Sequence, residues 1–508
     1  MESGISLKRL CRLQIQRLLI LVISLVVVFI VLSQLLTFPY KNYTSILSPV
    51  TKGILVQEVA IYDNASITHE GVLNESKVEE GCKGYDCNYG SLISKVATKG
   101  NDTSQNVLVA LKPTRLSYMI SVLESARFSK DKLFSPRDRQ LQHARKQIEH
   151  GPTLASTRGL YAPLYRNVSR FLRSYKLMED TLKIYIYKEG KKPIFHDGKL
   201  RGIYASEGWF MKLMERNRNF VVKDPKKAHL FYLPFSSLKL RLTSQEHTPQ
   251  SRKNLELILK NYTSLIARKY PFWNRTNGAD HFLVACHDWA MKVTRDHMGN
   301  CIRSLCNSNL AGGFTIGKDT TLPATYIRTS EDPVKDLGGN PPSERPILAF
   351  FAGGMHGNLR PILLRHWHDK DPDMKIFGQM ARDDESKAKY RMYMKSSKYC
   401  ICARGYEVFS PRIVESIYYE CVPVIISDDY VPPFFEFLDW EGFAVFVLEK
   451  DVGNLREILR GISDEKYREM WKRVKMVQRH FIWNKNPVKF DLFHMILHSI
   501  WNNRVYMT

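Results

Sequence analysis

The sequence predicts an α/β protein of two parallel-sheet domains joined by a hinge, and three observations point there. Apolar runs of strand length alternate with helical runs across 183–285 and again across 347–426, the signature of strand–helix–strand units. Between them, 329–346 (TSEDPVKDLGGNPPSERP) is dense in Gly, Pro and charge, the composition of an interdomain linker. At 508 residues and 44% hydrophobic content, the chain is long and apolar enough for more than one core.

Residues 1–17 read as a cytosolic tail. Lys8, Arg9, Arg12 and Arg17 precede the apolar run 18–36, which is broken only by Ser24, Ser33 and Gln34. That run is about one bilayer thick, and the basic flank keeps the N-terminus cytosolic. No small-x-small cleavage site follows, so the run reads as an uncleaved signal anchor with the rest of the chain lumenal. Asn42, Asn64, Asn74, Asn101, Asn167, Asn261 and Asn274 each open an N-x-Ser/Thr sequon, as a glycosylated lumenal chain would. Residues 37–157 read as a stem, polar to about 112 and closing on a helix that Ser135 caps over 136–149. That helix is either the last element of the stem or a prop against the first domain. The formal charge of +24 favours anionic partners, and the lumenal reading argues against nucleic acid.

The first domain is placed at 158–340, with strands at 183–187, 230–235 and 281–285 and helices at 207–217 and 251–268. His287 and Asp288 stand just past the C-terminal end of the third strand, the edge on which open α/β sheets bind ligands. Both are candidates for a general base; the alternative is that Asp288 caps the next turn while His287 packs. Asp280 with His281, and His196 with Asp197, are weaker candidates that can simply orient loops. Nine cysteines are compatible with an oxidising compartment. Cys82 and Cys87 can close a small loop, and Cys286, Cys301 and Cys306 cluster, with the connectivity open. Cys400 and Cys402 alternate on a strand and read as small buried hydrophobes.

The second domain is placed at 341–463. Strand 347–352, the Gly353-Gly354 turn and a helix over 357–367 form an arrangement suited to cradling phosphate. Arg360 and Arg412 either neutralise a pyrophosphate there or serve as surface charges. Asp369-x-Asp371 reads as a turn, and His366 and His368 point to different faces, so no metal site and no cofactor are expected. The next unit, 398–428, is strand 399–403, a turn through Gly405 and Tyr406, a helix with Ser410 as N-cap and Pro411 first, and strand 422–426. Glu407 lies in the turn and Glu415 in the helix. Carboxylates at such a place accept hydrogen bonds from sugar hydroxyls, while the helix start suits a diphosphate. From spacing alone, a packing unit with two solvated glutamates stays open. Helices over 464–483 and 487–502 close the chain.

The run GYEVFSPRIVESIYYECVPVIISDDYVPPF (405–434) resembles the donor-binding block of plant exostosin-like glycosyltransferases, family 47. LYRNVSRFLRSYKLME, KIYIYKEG, IFHDG, IYASEGWF, AHLFYLPFS, ADHFLVACHDW and ILAFFAGGMHGNLRP agree in order, so the likeness spans roughly 160–501. It departs at Phe409, where a smaller residue is common, and at Ala279, where Arg often precedes the Asp-His pair. The resemblance implies a GT-B fold, two Rossmann-like domains facing a cleft, with 464–508 bracing them. It implies inverting, metal-independent transfer from a nucleotide-sugar, in the UDP form, to a cell-wall polysaccharide or glycan. The setting would be the Golgi lumen, with homo- or hetero-oligomers of such enzymes as possible partners. Gly353, Gly354, Arg360, Gly405, Tyr406, Ser410, Arg412 and Glu415 would hold the donor, with Glu415 on the ribose. Glu407 would contact the sugar or diphosphate, and Asp288 or His287 would activate the acceptor. A non-catalytic Golgi scaffold and a lumenal sulfotransferase are the rival readings.

Overall fold

The computed structural model describes residues 115–128, 136–153, 157, 159–244 and 248–508. The expected anchor at 18–36, the sequons at Asn42, Asn64, Asn74 and Asn101, and Cys82 with Cys87 lie outside the described residues. Among the described residues, no helix is long and apolar enough to cross a membrane.

In chain order the elements begin with α1 (Arg115–Arg127), α2 (Pro136–His150), α3 (Val168–Thr181), β1 (Ile184–Ile186), α4 (Ala205–Arg216), β2 (Leu230–Tyr232), α5 (Ser237–Leu242) and α6 (Pro249–Lys269). There follow α7 (Pro271–Thr276), β3 (His281–Ala285), α8 (Ala290–Met298), β4 (Ile302–Leu305) and β5 (Thr320–Thr321). Beyond the linker come β6 (Ile347–Ala352), α9 (Leu359–Trp367), β7 (Met374–Phe377), α10 (Asp384–Ser396), β8 (Ser397–Ala403), α11 (Arg412–Tyr418) and β9 (Val422–Ile426). Then β10 (Val445–Phe446), α12 (Leu455–Arg460), α13 (Asp464–Val477) and α14 (Leu492–Tyr506) complete the chain.

The strands form two parallel sheets, which establishes the α/β class with two parallel-sheet domains. The first runs β1-β2-β3-β4-β5 and the second β10-β9-β8-β6-β7. Both are buried on two sides, which is why β3 (HFLVA) and β9 (VPVII) are almost continuously apolar and have no exposed residue. In the second sheet the order reverses between β6 and β8, so a crevice opens where their following loops part. The first sheet winds one way only and has no such reversal, a departure from the doubly wound order.

Backbone and side-chain bonds tie the two sheets together. Arg166 N–H donates to Phe437 O at 3.0 Å, Ser308 Oγ to Val431 O at 2.7 Å and Phe434 N–H to Thr321 Oγ1 at 3.1 Å. α14 packs on β4, β5, α2 and α3. The helix over 136–149 acts as a prop: α2 lies on α3 and α14, its Asp138 forms a buried ion pair with Arg504, and Gln140 Oε1 meets His229 Nε2 at 2.8 Å.

Several boundaries move for local reasons. The strand expected at 230–235 ends at Tyr232, since Pro234 has no N–H for the ladder. The helix expected from 487 begins at Leu492, because Asp491 is its N-cap and accepts from His494 N–H at 3.1 Å. The helix expected to run to 483 stops at Val477, followed by one 3-10 turn. Cys400 is not a free apolar filler. Pairing of Cys400 with Pro423 sets Cys421 beside it, and the two form a disulfide with Cα atoms 5.8 Å apart. Cys286 pairs with Cys306 across β3 and β4, while Cys301 and Cys402 are buried thiols.

Candidate active site in the interdomain cleft

Four strand ends meet at the cleft. Cys286 to Asp288 follow β3 and Asn307 follows β4, while Gly353 and Gly354 follow β6 and Gly405 to Glu407 follow β8. A cavity of about 440 Å³ between them is lined by Asp288 and Tyr204 from the first domain. From the second come Gly353, Gly354, His356, Arg360, Gly405 to Glu407, Ser410, Arg412 and Glu415. A neighbouring cavity of about 580 Å³, lined by Arg328, Gln379 and Tyr390, shares Tyr326, Gly353 and Glu415 with it. Of the sequence-predicted cleft residues, His287 alone is not in this wall.

On the first-domain side, a buried carboxylate sets the loop. Glu207 on α4 is 1% exposed and accepts from Ser236 Oγ at 2.5 Å, Leu238 N–H at 3.0 Å, Cys286 N–H at 2.8 Å and the Ser237 hydroxyl. Ser237 Oγ accepts in turn from His287 N–H at 3.0 Å. The His287 Nδ1 accepts from Trp289 N–H at 3.1 Å, and its ring lies 5.0 Å from that of Tyr204. His287 therefore caps the turn, the task considered for Asp288. Asp288 instead faces the cavity, where the Tyr204 hydroxyl donates to its Oδ1 at 3.0 Å. Burial, helped by the charge of Glu407, pushes the Asp288 carboxyl above its ordinary value, while the Tyr204 bond opposes this.

The weaker candidates serve structure. Asp280 and His281 are buried together in a network with Arg275, Thr276 and Tyr187. His196 meets Glu215 at 3.0 Å, and Asp197 pairs with Lys239. The Asp369-x-Asp371 stretch is a turn whose Asp371 pairs with Arg456. Among the described residues, no group of three or more His, Cys, Asp or Glu is placed to hold a metal ion.

On the second-domain side, the backbone is brought close by glycines. Gly357 has φ +70°, and a Cβ there would meet Gly405 O at 2.2 Å, so the two loops can touch only with glycine. Arg360 donates to Gly354 O at 3.0 Å and to Ala403 O at 3.3 Å. Arg412 donates to Ala352 O and stacks on Phe351, its guanidinium carbon 4.7 Å from the ring centre. Arg412 is buried and Arg360 half-buried, so neither is a surface charge. No ion pair joins either one to a carboxylate among the described residues, and Arg412 lies by the Tyr390 hydroxyl and within reach of the Glu415 charge. Burial, then the proximity of Arg412, pushes Arg360 down to about 10. Paired guanidinium groups at the crevice, bonded mainly to carbonyls, are suited to an anionic ligand.

The two glutamates are not solvated. Glu415 Oε1 meets Arg328 Nη2 at 3.2 Å and its Oε2 accepts from the Tyr390 hydroxyl at 3.2 Å. Burial raises the Glu415 carboxyl, against Arg328 and Arg412. Glu407 Oε2 accepts from Asn307 Nδ2 at 2.7 Å, and Lys292 lies 3.8 Å from Oε1. The helix starts one residue later than expected: Pro411 is the cap, and Ser410 Oγ accepts from Arg412 N–H at 3.3 Å. Phe409 lines the same cavity. Sequence reasoning missed Tyr204, Glu207, Asn307, Arg328 and Tyr390. Tyr204 and Glu207 sit in the stretch IYASEGWF, whose order of residues marks it but whose spacing does not reveal the partners. Among the sequons, Asn167 caps α3 through Oδ1, accepting from Arg170 N–H at 2.9 Å, and Asn261 and Asn274 are exposed.

Two parallel-sheet α/β domains enclosing a cleft at their strand ends, lined by carboxylates of both domains and arginines of the second, define the class: a two-domain α/β protein with a ligand site between its sheets. The exostosin GT47 domain model matches residues 178–462. "Probable glycosyltransferase At5g03795" of Arabidopsis thaliana is 46% identical over 347 residues, covering 68% of this chain and 66% of that protein, slightly under two thirds. "Probable glucuronosyltransferase GUT1" of Oryza sativa subsp. japonica is 28% identical over 324 residues, covering 56% of this chain and 72% of that one. The crystal structure of TarM aligns at TM-score 0.23 and 5% identity, over 40% of this chain and 53% of that one, a likeness too slight to bear on the fold. The chain belongs to the exostosin GT47 family.

Proposed function

We propose that this cleft transfers a sugar from a nucleotide-sugar, UDP-linked, to a cell-wall polysaccharide or other glycan, with inversion and without a metal. The setting proposed is the Golgi lumen, the chain held by its signal anchor. The observation that carries the reading is the opposition of two features across one cavity. Arg360 and Arg412 lie at the crevice without a carboxylate partner, and Asp288, a carboxylate of raised proton affinity, faces them from the other domain.

In this reading the donor diphosphate lies on Gly353-Gly354 between Arg360 and Arg412. Glu415 takes the ribose hydroxyls, and Glu407 the transferred sugar. Asp288 receives the proton of the acceptor hydroxyl as its oxygen bonds to the anomeric carbon. The bond from that carbon to the diphosphate breaks on the opposite face, and its electron pair leaves with UDP, whose charge the arginines stabilise. A single displacement inverts the anomeric centre. The test is the purified chain assayed against a UDP-sugar panel with and without EDTA. UDP-glucuronate is included because the rice relative is named for glucuronosyl transfer. Transfer that survives EDTA, and donor binding lost in Glu415→Ala, are the expected results. Transfer that needs a divalent cation, or unchanged donor affinity in that variant, would overturn the scheme.

A further inference from the structure

Away from the cleft, α1 and α2 close over α3 and the end of α14. Two cavities of about 400 and 230 Å³ lie between them, and Glu124, Arg127, Asn167 and Arg170 line both. Arg127, Arg145 and Arg170 hold their guanidinium carbons 4.9, 5.4 and 5.8 Å from the centre of one ring, Tyr506. Charges so gathered repel, and the local carboxylates answer them only in part. Glu124 meets Arg127 at 2.7 Å and Glu149 meets Arg145 at 3.3 Å, Glu436 in the wall of the smaller cavity accepts from the Ser499 hydroxyl, and Arg170 donates to the Tyr506 hydroxyl at 2.8 Å. Burial, then Arg170, lowers the proton affinity of Arg127.

Two donors in the walls have no partner: Nε of Arg127, 7% exposed, and Nδ2 of Asn502, 2% exposed. A buried donor left unpaired is costly, so a ligand that brings acceptor oxygens is favoured. The smaller cavity holds both of these groups, Arg127 and Asn502, while Ser169 lines only the larger. Two cavities sharing four residues suit an extended ligand, and cations interleaved with the neutral Asn502 and Ser169 suit one that bears both carboxylates and hydroxyls.

We propose that this paired cavity is a second carbohydrate site, binding an acidic glycan with a uronate carboxylate between Arg127 and Arg170 and hydroxyls on Asn502 and Ser169. The site does not depend on the transfer reaction. The test titrates the full chain, its cleft saturated with UDP, with trigalacturonate by calorimetry, using maltotriose as the neutral probe and sodium sulfate as the ion probe. Trigalacturonate is expected to bind and maltotriose not. Arg170→Gln and Asn502→Leu should each weaken binding by about tenfold, with UDP affinity and Tm as in the wild type. Arg170 is only partly buried, so its variant keeps the test open if Asn502→Leu does not fold. Absence of binding, equal binding in the Arg170 variant, or displacement by sulfate at the same concentration would overturn the proposal. Failure of sugar transfer with this binding intact would count against the cleft reading alone.

Discussion

Glu407 of the second domain accepts a hydrogen bond from the Asn307 amide of the first at 2.7 Å, and the same amide lies 3.3 Å from the Asp288 carbonyl. One side chain thus spans the cleft and touches both carboxylate-bearing loops. Positioning of this kind is worth much in catalysis, since small displacements of reacting groups cost large factors in rate. Asn307→Ala is expected to lower kcat/KM about 10- to 100-fold while leaving UDP affinity unchanged, because the arginines are on the other domain. Steady-state kinetics beside calorimetry separate the two; an equal fall in UDP affinity would show that the contact holds the whole site together.

As the proposed base, Asp288 would work only when deprotonated, so activity is expected above its pKa and lost as pH falls through it. Burial and Glu407 raise that pKa, which places the acid limb of the kcat/KM profile above the ordinary carboxylate range. Tyr204→Phe removes a bond that favours the carboxylate, so the limb should shift further toward neutral pH. Asp288→Asn should reduce turnover by at least about 100-fold. A limb that stays put in Tyr204→Phe assigns it to another group.

Arg360 and Arg412 are argued to hold a diphosphate. Arg360→Met should weaken UDP binding about tenfold or more, the scale of a charge-assisted hydrogen bond, and uridine binding much less. Comparing the two ligands by calorimetry tests the assignment to the phosphates. Parallel losses for UDP and uridine would place Arg360 elsewhere.

The Cys400–Cys421 disulfide closes a separation of 21 residues that contains α11 and Glu415. Its replacement by Ser at both positions should cost about 3 kcal/mol, seen as a lower Tm by calorimetry. Donor binding measured well below the transition should persist if the bridge serves stability alone.

The strands were largely legible because their signal is local. Runs such as 281–285, 347–352 and 422–426 are short, apolar and bounded by turn residues, and each matches a strand end for end. β4, β5 and β10 were missed: IRSL, TT and VF are too short or too polar to signal a strand, and Arg303 in β4 is buried where Asp319 pairs with it at 2.6 Å and Gly313 O accepts from it at 3.1 Å. Glu407 and Glu415 were visible as carboxylates beside a helix start, but their partners Asn307, Arg328 and Tyr390 lie 25 to 100 residues away. No spacing rule reaches that far. The disulfide from Cys400 had the same cause, since register between β8 and β9 chose the partner.

By itself the sequence determined the α/β class, the two sheets and the loops that follow β3, β6 and β8, because apolar periodicity and glycine placement act over a few residues. Only the tertiary structure decided that His287 caps a turn while Asp288 faces the cavity, that Arg360 and Arg412 are withdrawn from the surface, and that Asn307 bridges the cleft. Those outcomes depend on which buried polar groups find partners once two sheets close on each other, and that balance of desolvation against hydrogen bonding exists only in the folded chain.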